Sequence, residues 1–132
     1  IVLKTMRGFT MTLIQRGPGN VPTRCWGSAY CDLVWALGMS DDYSVSAEKQ
    51  ALRAFENLDK ILAELGSDKT RIISATVILN DIENKPVTDA IWADWIGDNP
   101  DHWPERSCHG VDLYGGNEIE IRVVAVRNAE VG

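Results

Sequence analysis

The chain has 132 residues, 45% of them apolar and 24% charged, enough for one soluble domain around a single core. A formal net charge of −6 excludes a nucleic-acid binder that works through a basic face. No apolar run approaches the roughly 20 residues of a membrane span. Three cysteines without a C-x-x-C spacing make no disulfide framework, so Cys25, Cys31 and Cys108 read as reduced thiols in a reducing compartment, the cytoplasm.

Residues 1–10 are too short and too interrupted for a signal peptide. Met11 can serve as a natural start, so 1–10 read as an upstream or cloning-derived extension and 11–132 as the domain. The first strand is expected at 12–15, closed by the turn residues Gly17, Pro18, Gly19 and Asn20. A second is expected over 29–37, rich in aromatic and aliphatic side chains and ending at Gly38. Residues 40–44 read as loop, with Ser46 as the N-cap of the next element.

Residues 47–65 carry the clearest pattern in the chain. Ala51, Phe55, Leu58, Leu62 and Leu65 recur at the spacing of one helical face, Ile61 widens the stripe, and Gly66 stands where a C′ glycine belongs. The β-branched run 71–79 predicts a strand. Pro86 suits the first turn of a second helix over 87–96, where its missing N–H costs nothing. Residues 97–104 read as an irregular loop.

The last stretch, 105–126, reads as a β-hairpin turning at Tyr114-Gly115-Gly116-Asn117. Alternation puts Arg106, Cys108 and Gly110 on one face of its first strand and Ser107 and His109 on the other. A zinc site from His102, Cys108 and His109 fails on that alternation and on spacing, so no metal is expected. The order β-β-α-β-α-β-β predicts an α+β domain, a mixed sheet with two helices on one face. Several strands are apolar on both sides, which two helices cannot cover, so an oligomer through the helix-free face is expected.

Residues 50–62, Gly66-Ser67-Asp68, 75–81, Pro104-Glu105-Arg106-Ser107-Cys108, Ile119-Glu120-Ile121 and 124–127 together resemble the RidA family, also called YjgF. The likeness spans about 13–127. Arg24-Cys25-Trp26 at the front and Trp92-Ala93-Asp94-Trp95 in the second helix are closer to its divergent YoaB-like branch. The resemblance implies a chorismate-mutase-like fold, a homotrimer with clefts between subunits, and cofactor-independent hydrolysis of small enamine/imine intermediates such as 2-aminoacrylate to a 2-keto acid and ammonia. That is a deaminase of the 2-iminobutanoate/2-iminopropanoate type.

The residues suit this chemistry. Arg106 offers a planar fork for the substrate carboxylate, and Glu120 a carboxylate to orient or deprotonate the attacking water. Cys108 is expected to line the site. Arg24 stands where a family tyrosine is expected and Asp89 where an asparagine is frequent, so both, with Trp26, join the predicted substrate-binding set. An Arg and a Glu on adjacent strands are ordinarily only a cross-strand pair. The competing reading is a non-catalytic trimeric module for a small carboxylate metabolite or a protein partner. A ribonuclease reading fits the acidic balance poorly.

Overall fold

Helix α1 (Ala47–Glu64) organises the packing. The computed structural model describes residues 5–6, 9–10, 13–19 and 21–128. Ser46 Oγ accepts from the Lys49 N–H at 3.3 Å, satisfying one orphan donor of the first turn. At the other end Gly66 takes φ 82°. Its N–H donates to Ala63 O at 3.1 Å and that of Ser67 to Leu62 O at 2.9 Å, a Schellman closure. The predicted stripe is buried along its length: Ala51, Phe55, Leu58, Leu62 and Leu65 are each at most 2% exposed, with Ala54 and Ile61 beside them. Burying each large side chain there is worth about 1.5–3 kcal/mol, an upper figure since denatured chains are partly collapsed.

That stripe lies on a six-stranded sheet of β3 (Gln15–Arg16), β4 (Gly27–Tyr30), β5 (Leu33–Met39), β6 (Ile72–Leu79), β7 (Glu105–Gly110) and β8 (Ile119–Val126), in the order β3-β4-β5-β8-β6-β7. A separate antiparallel pair joins β1 (Thr5–Met6) to β2 (Phe9–Thr10). The start expected at Met11 lies outside the described residues. The first strand of the main sheet forms at Gln15–Arg16, later than the predicted 12–15, and Thr12 also lies outside the described residues.

Two strand predictions are corrected. The run 29–37 is not one strand but parts of β4 and β5, folded back at Cys31-Asp32 with Tyr30 opposite Leu33. Cys31 takes φ 53°, a left-handed turn conformation that composition alone does not announce in a cysteine. The C-terminal hairpin is also absent: β6 lies between β7 and β8, pairing parallel with the first and antiparallel with the second. Residues 111–118 climb over the end of β6 instead. Val111 N–H donates to Leu79 O at 2.9 Å, Leu113 N–H to Asn80 Oδ1 at 2.8 Å, and Asn80 N–H to Glu118 O at 3.0 Å. The physical reason is edge satisfaction. In this order both edges of the apolar β8 pair, with β5 and β6, and the shorter β7 takes the outside.

Helix α2 (Lys85–Ile96), with Pro86 in its first turn, makes the crossover from β6 to the parallel β7. It joins α1 through an aromatic cluster: Phe55 lies 6.1 Å from Trp92 and 4.8 Å from Trp95, and Trp92 5.5 Å from Trp95, between ring centroids. Val34, Ala36, Ala75, Val77, Ile121 and Val123 form the buried sheet face. A bulge between Ile72 and Ser74 shifts the expected alternation, so that Ile72 is buried and Ile73 exposed. Tyr30, Leu33, Trp35 and Ile73 stay exposed, Trp35 at 44%, so the sheet carries uncovered apolar side chains as the strand pattern foretold.

Candidate active site

Arg106 lies in β7 at the level of Ala75 in β6, which in turn faces Val123 in β8. Both neighbours are buried on the helix side, so alternation turns Arg106 toward α2. There its guanidinium lies over the Trp92 ring, 5.1 Å from the centroid, and donates through Nη2 to Asp89 Oδ1 at 2.7 Å. The other carboxylate oxygen, Oδ2, accepts from Lys85 Nζ at 2.7 Å. Asp89 thus sits between two cations. Nη1 of Arg106 is buried and has no hydrogen-bond partner, an unspent donor beside a paired one.

The electrostatics follow from this arrangement. Burial alone would raise the Asp89 carboxyl, but hydrogen bonds from Lys85 and Arg106, and their charges, outweigh it and hold the group below its ordinary value. Cys108, two residues along β7 on the same face, is pushed up by burial despite the pull of Arg106 and Lys85. Its thiol stays protonated at neutral pH, which suits a lining role and not a nucleophile's. His109 alternates to the opposite face, and among the described residues no cluster of His, Cys, Asp and Glu could hold a metal.

Glu120 lies elsewhere. It is level with Met39 in β5 and Ile78 in β6, one residue out of phase with the buried Ile119 and Ile121. Arg106 and Glu120 therefore project from opposite faces of the sheet and are separated by β6, not placed on neighbouring strands as a hairpin would have them. Glu120 lines a groove of about 800 Å³ that also takes in Arg24, Trp26, Tyr43, Asn57 and Lys60. The groove exists because β4 ends short of β5: Leu37 N–H donates to Trp26 O at 2.8 Å, and beyond that point the β5 edge lies open toward α1.

The six predicted residues thus fall into two groups on opposite faces of the sheet. Arg106, Cys108 and Asp89 share one; Glu120, Arg24 and Trp26 share the other. Sequence reasoning missed Lys85, whose spacing four residues before Asp89 on a helix is the signal for the pair. It also missed Tyr43, a residue in a short loop with no periodicity to mark it.

The sequence pattern of the family described as Endoribonuclease L-PSP matches residues 37–127. A RutC family protein of Haemophilus ducreyi is 31% identical over 88 residues, 66% of this chain and 74% of that protein. The protein named 2-iminobutanoate/2-iminopropanoate deaminase in Homo sapiens is 31% identical over 80 residues, covering 60% of this chain and 56% of the human one. The putative reactive intermediate deaminase TdcF of Escherichia coli is 25% identical over 122 residues, 87% of this chain and 95% of its own. In structure, a YjgF family member from Neisseria meningitidis superposes with a TM-score of 0.79 at 25% identity, covering 89% of this chain and 98% of that one. The fold and the match over 37–127 agree: the chain belongs to the Endoribonuclease L-PSP family, the RidA or YjgF group.

Proposed function

We propose that this protein hydrolyses small enamine and imine intermediates of the 2-aminoacrylate type to a 2-keto acid and ammonia, without a cofactor, in clefts between the subunits of a homotrimer. The observation that carries the reading is Arg106: a half-buried guanidinium with an unspent donor, stacked on Trp92 where its fork is held rigid. A substrate of this class carries a carboxylate next to its C=N carbon. A fork of fixed orientation binds that carboxylate and turns water attack into a near-unimolecular step.

Glu120 supplies the second requirement, a carboxylate that orients the water and accepts its proton. Its carboxylate has no hydrogen bond or ion pair among the described residues. Since it projects from the other sheet face, the reading requires the two groups to meet across a subunit boundary. The uncovered apolar face with Trp35 and Ile73 supports such an assembly. Arg24 and Trp26 would join from the Glu120 side, Cys108 and Asp89 from the Arg106 side. The names of the human and Escherichia coli relatives support the reaction class. Reduced thiols go with a cytoplasmic setting, and neither nucleic acid nor membrane is a partner in this reading.

One observation favours a second reading. Asp89 already occupies Nη2 of Arg106. A protein that binds a small carboxylate metabolite, or a protein partner, without turning it over would tolerate that pairing better than an enzyme.

The test generates 2-aminoacrylate in situ with a pyridoxal-phosphate lyase acting on serine and follows pyruvate release. Acceleration by the wild type and its loss in Arg106→Ala support the deaminase. Arg106→Lys, which keeps the charge but loses the fork, is expected to fail as well. Absence of acceleration, with 2-keto acids still raising the melting temperature, moves the conclusion to the binding module.

A further inference from the structure

Gln50 is 1% exposed, yet it is a polar residue in the buried stripe of α1. Its amide is fully used. Nε2 donates to Tyr43 O at 3.3 Å, Val45 O at 3.2 Å and Gly116 O at 3.1 Å, and Oε1 accepts from the Glu118 N–H at 2.9 Å. One side chain therefore ties the 43–45 loop to the turn and the first residues leading into β8. Glu120 stands two residues beyond that anchor. Both Tyr43 and Glu120 line the same groove, and the distance between their backbones is set by a shared buried amide and not by a free loop.

The arrangement gives Tyr43 more than a packing role. The residue is 40% exposed and lines the groove, whose other charged lining groups are Arg24, Lys60, Asp41, Glu64 and Glu120. Burial and the Glu120 charge both hold the phenol above its ordinary value, so near neutral pH the hydroxyl keeps the proton it would donate. Tyr43 and Glu120 thus face one groove, where a donor and an acceptor that shared a bound water would present its lone pair in a chosen direction.

We propose that Tyr43 is a positioning residue of the site, its hydroxyl donating to the water that Glu120 holds, with Gln50 fixing the two relative to each other. The inference rests on the deaminase reading for the identity of the reaction, but the pairing of Tyr43 with Glu120 does not.

The experiment has two arms on the full chain. In the first, the Tyr43 phenol is titrated by nuclear magnetic resonance in the wild type and in Glu120→Gln. A midpoint that falls in the variant supports the pairing; one that stays put overturns it. In the second, Tyr43→Phe is assayed on 2-aminoacrylate made in situ. We expect kcat to fall about tenfold, the worth of one hydrogen bond made in the transition state, with KM within about twofold and the melting temperature held. Wild-type kcat in an active protein overturns the role of Tyr43 alone. A wild type that does not accelerate the reaction removes the deaminase reading, and the titration arm then decides the Tyr43–Glu120 pairing by itself.

Discussion

Arg106 donates to Asp89 at 2.7 Å through Nη2 while its buried Nη1 donates to nothing. The Asp89 carboxylate thus occupies half of the fork that a substrate carboxylate would fill, and under the proposed function it would compete with that ligand. Asp89→Asn keeps the shape and removes the charge. We expect 2-keto acids to bind the variant more tightly, on the order of tenfold, as measured by calorimetry. Unchanged or weaker binding would show that Asp89 helps to hold the ligand instead of competing with it.

The same pair has a pH signature. The folded Asp89 carboxyl lies below the ordinary 3.8, lowered by Lys85 and Arg106 against the cost of burial. A depressed carboxyl stabilises the fold fully above its unfolded value, and that contribution is lost as pH falls below 3.8 toward the folded value. The difference in melting temperature between wild type and Asp89→Asn is therefore expected to be flat at higher pH and to shrink below that point. With Asp89 and Lys85 both more than a third exposed, solvent screening keeps the effect small, about 1 kcal/mol or less.

Separation of Arg106 from Glu120 makes a complementation test of the proposed cleft possible. Arg106→Ala and Glu120→Gln chains, each inactive alone, are unfolded together, mixed in equal amounts and refolded. If each cleft takes Arg106 from one subunit and Glu120 from its neighbour, about a quarter of the sites in randomly assembled trimers are intact. Recovered 2-aminoacrylate turnover is the expected result. None would be recovered if both side chains had to come from the same chain.

Gly38 and Gly27 allow α1 to lie close on the sheet, but with different tolerance. A Cβ at Gly38 would meet Ala54 O at 2.7 Å and Leu58 Cβ at 2.8 Å, atoms that move only with the helix. At Gly27 a Cβ would meet Leu65 Cδ1 at 2.7 Å, a chain end that can rotate, the stiffer β-branch methyl of Ile61 at 2.7 Å, and backbone only at 3.1 Å, Trp35 O. Urea denaturation should show Gly38→Ala losing about 2–3 kcal/mol and Gly27→Ala less. The reverse order would mean that the helix can shift more readily than its side chains.

Replacing Gln50 by Leu keeps the volume roughly constant and removes four hydrogen bonds, leaving three carbonyls and one N–H without their partner. The expected loss is about 3 kcal/mol in urea denaturation, larger than a surface change and comparable to a core cavity. Faster amide exchange at Glu118 would locate the damage. A loss below about 1 kcal/mol would mean that water replaces the amide.

Sequence alone determined the elements whose logic is local. The stripe of α1, its Ser46 cap and the Gly66 closure follow from spacing within a few residues, as do Pro86 in α2 and the alternation that pairs Arg106 with Cys108 against His109. The family signature over 104–127 was legible for the same reason, being a matter of order along the chain. Partnership was not. Which strand lies beside β8 depends on satisfying both of its edges, and that is decided between residues dozens of positions apart. Hence β6 entered where a hairpin was expected, Cys31 turned a single predicted strand into two, and Arg106 and Glu120 went to opposite faces. Alternation states which residues share a face of one strand; only the assembled sheet decides what stands beside them, and only the packed helix could bring Asp89 to Arg106.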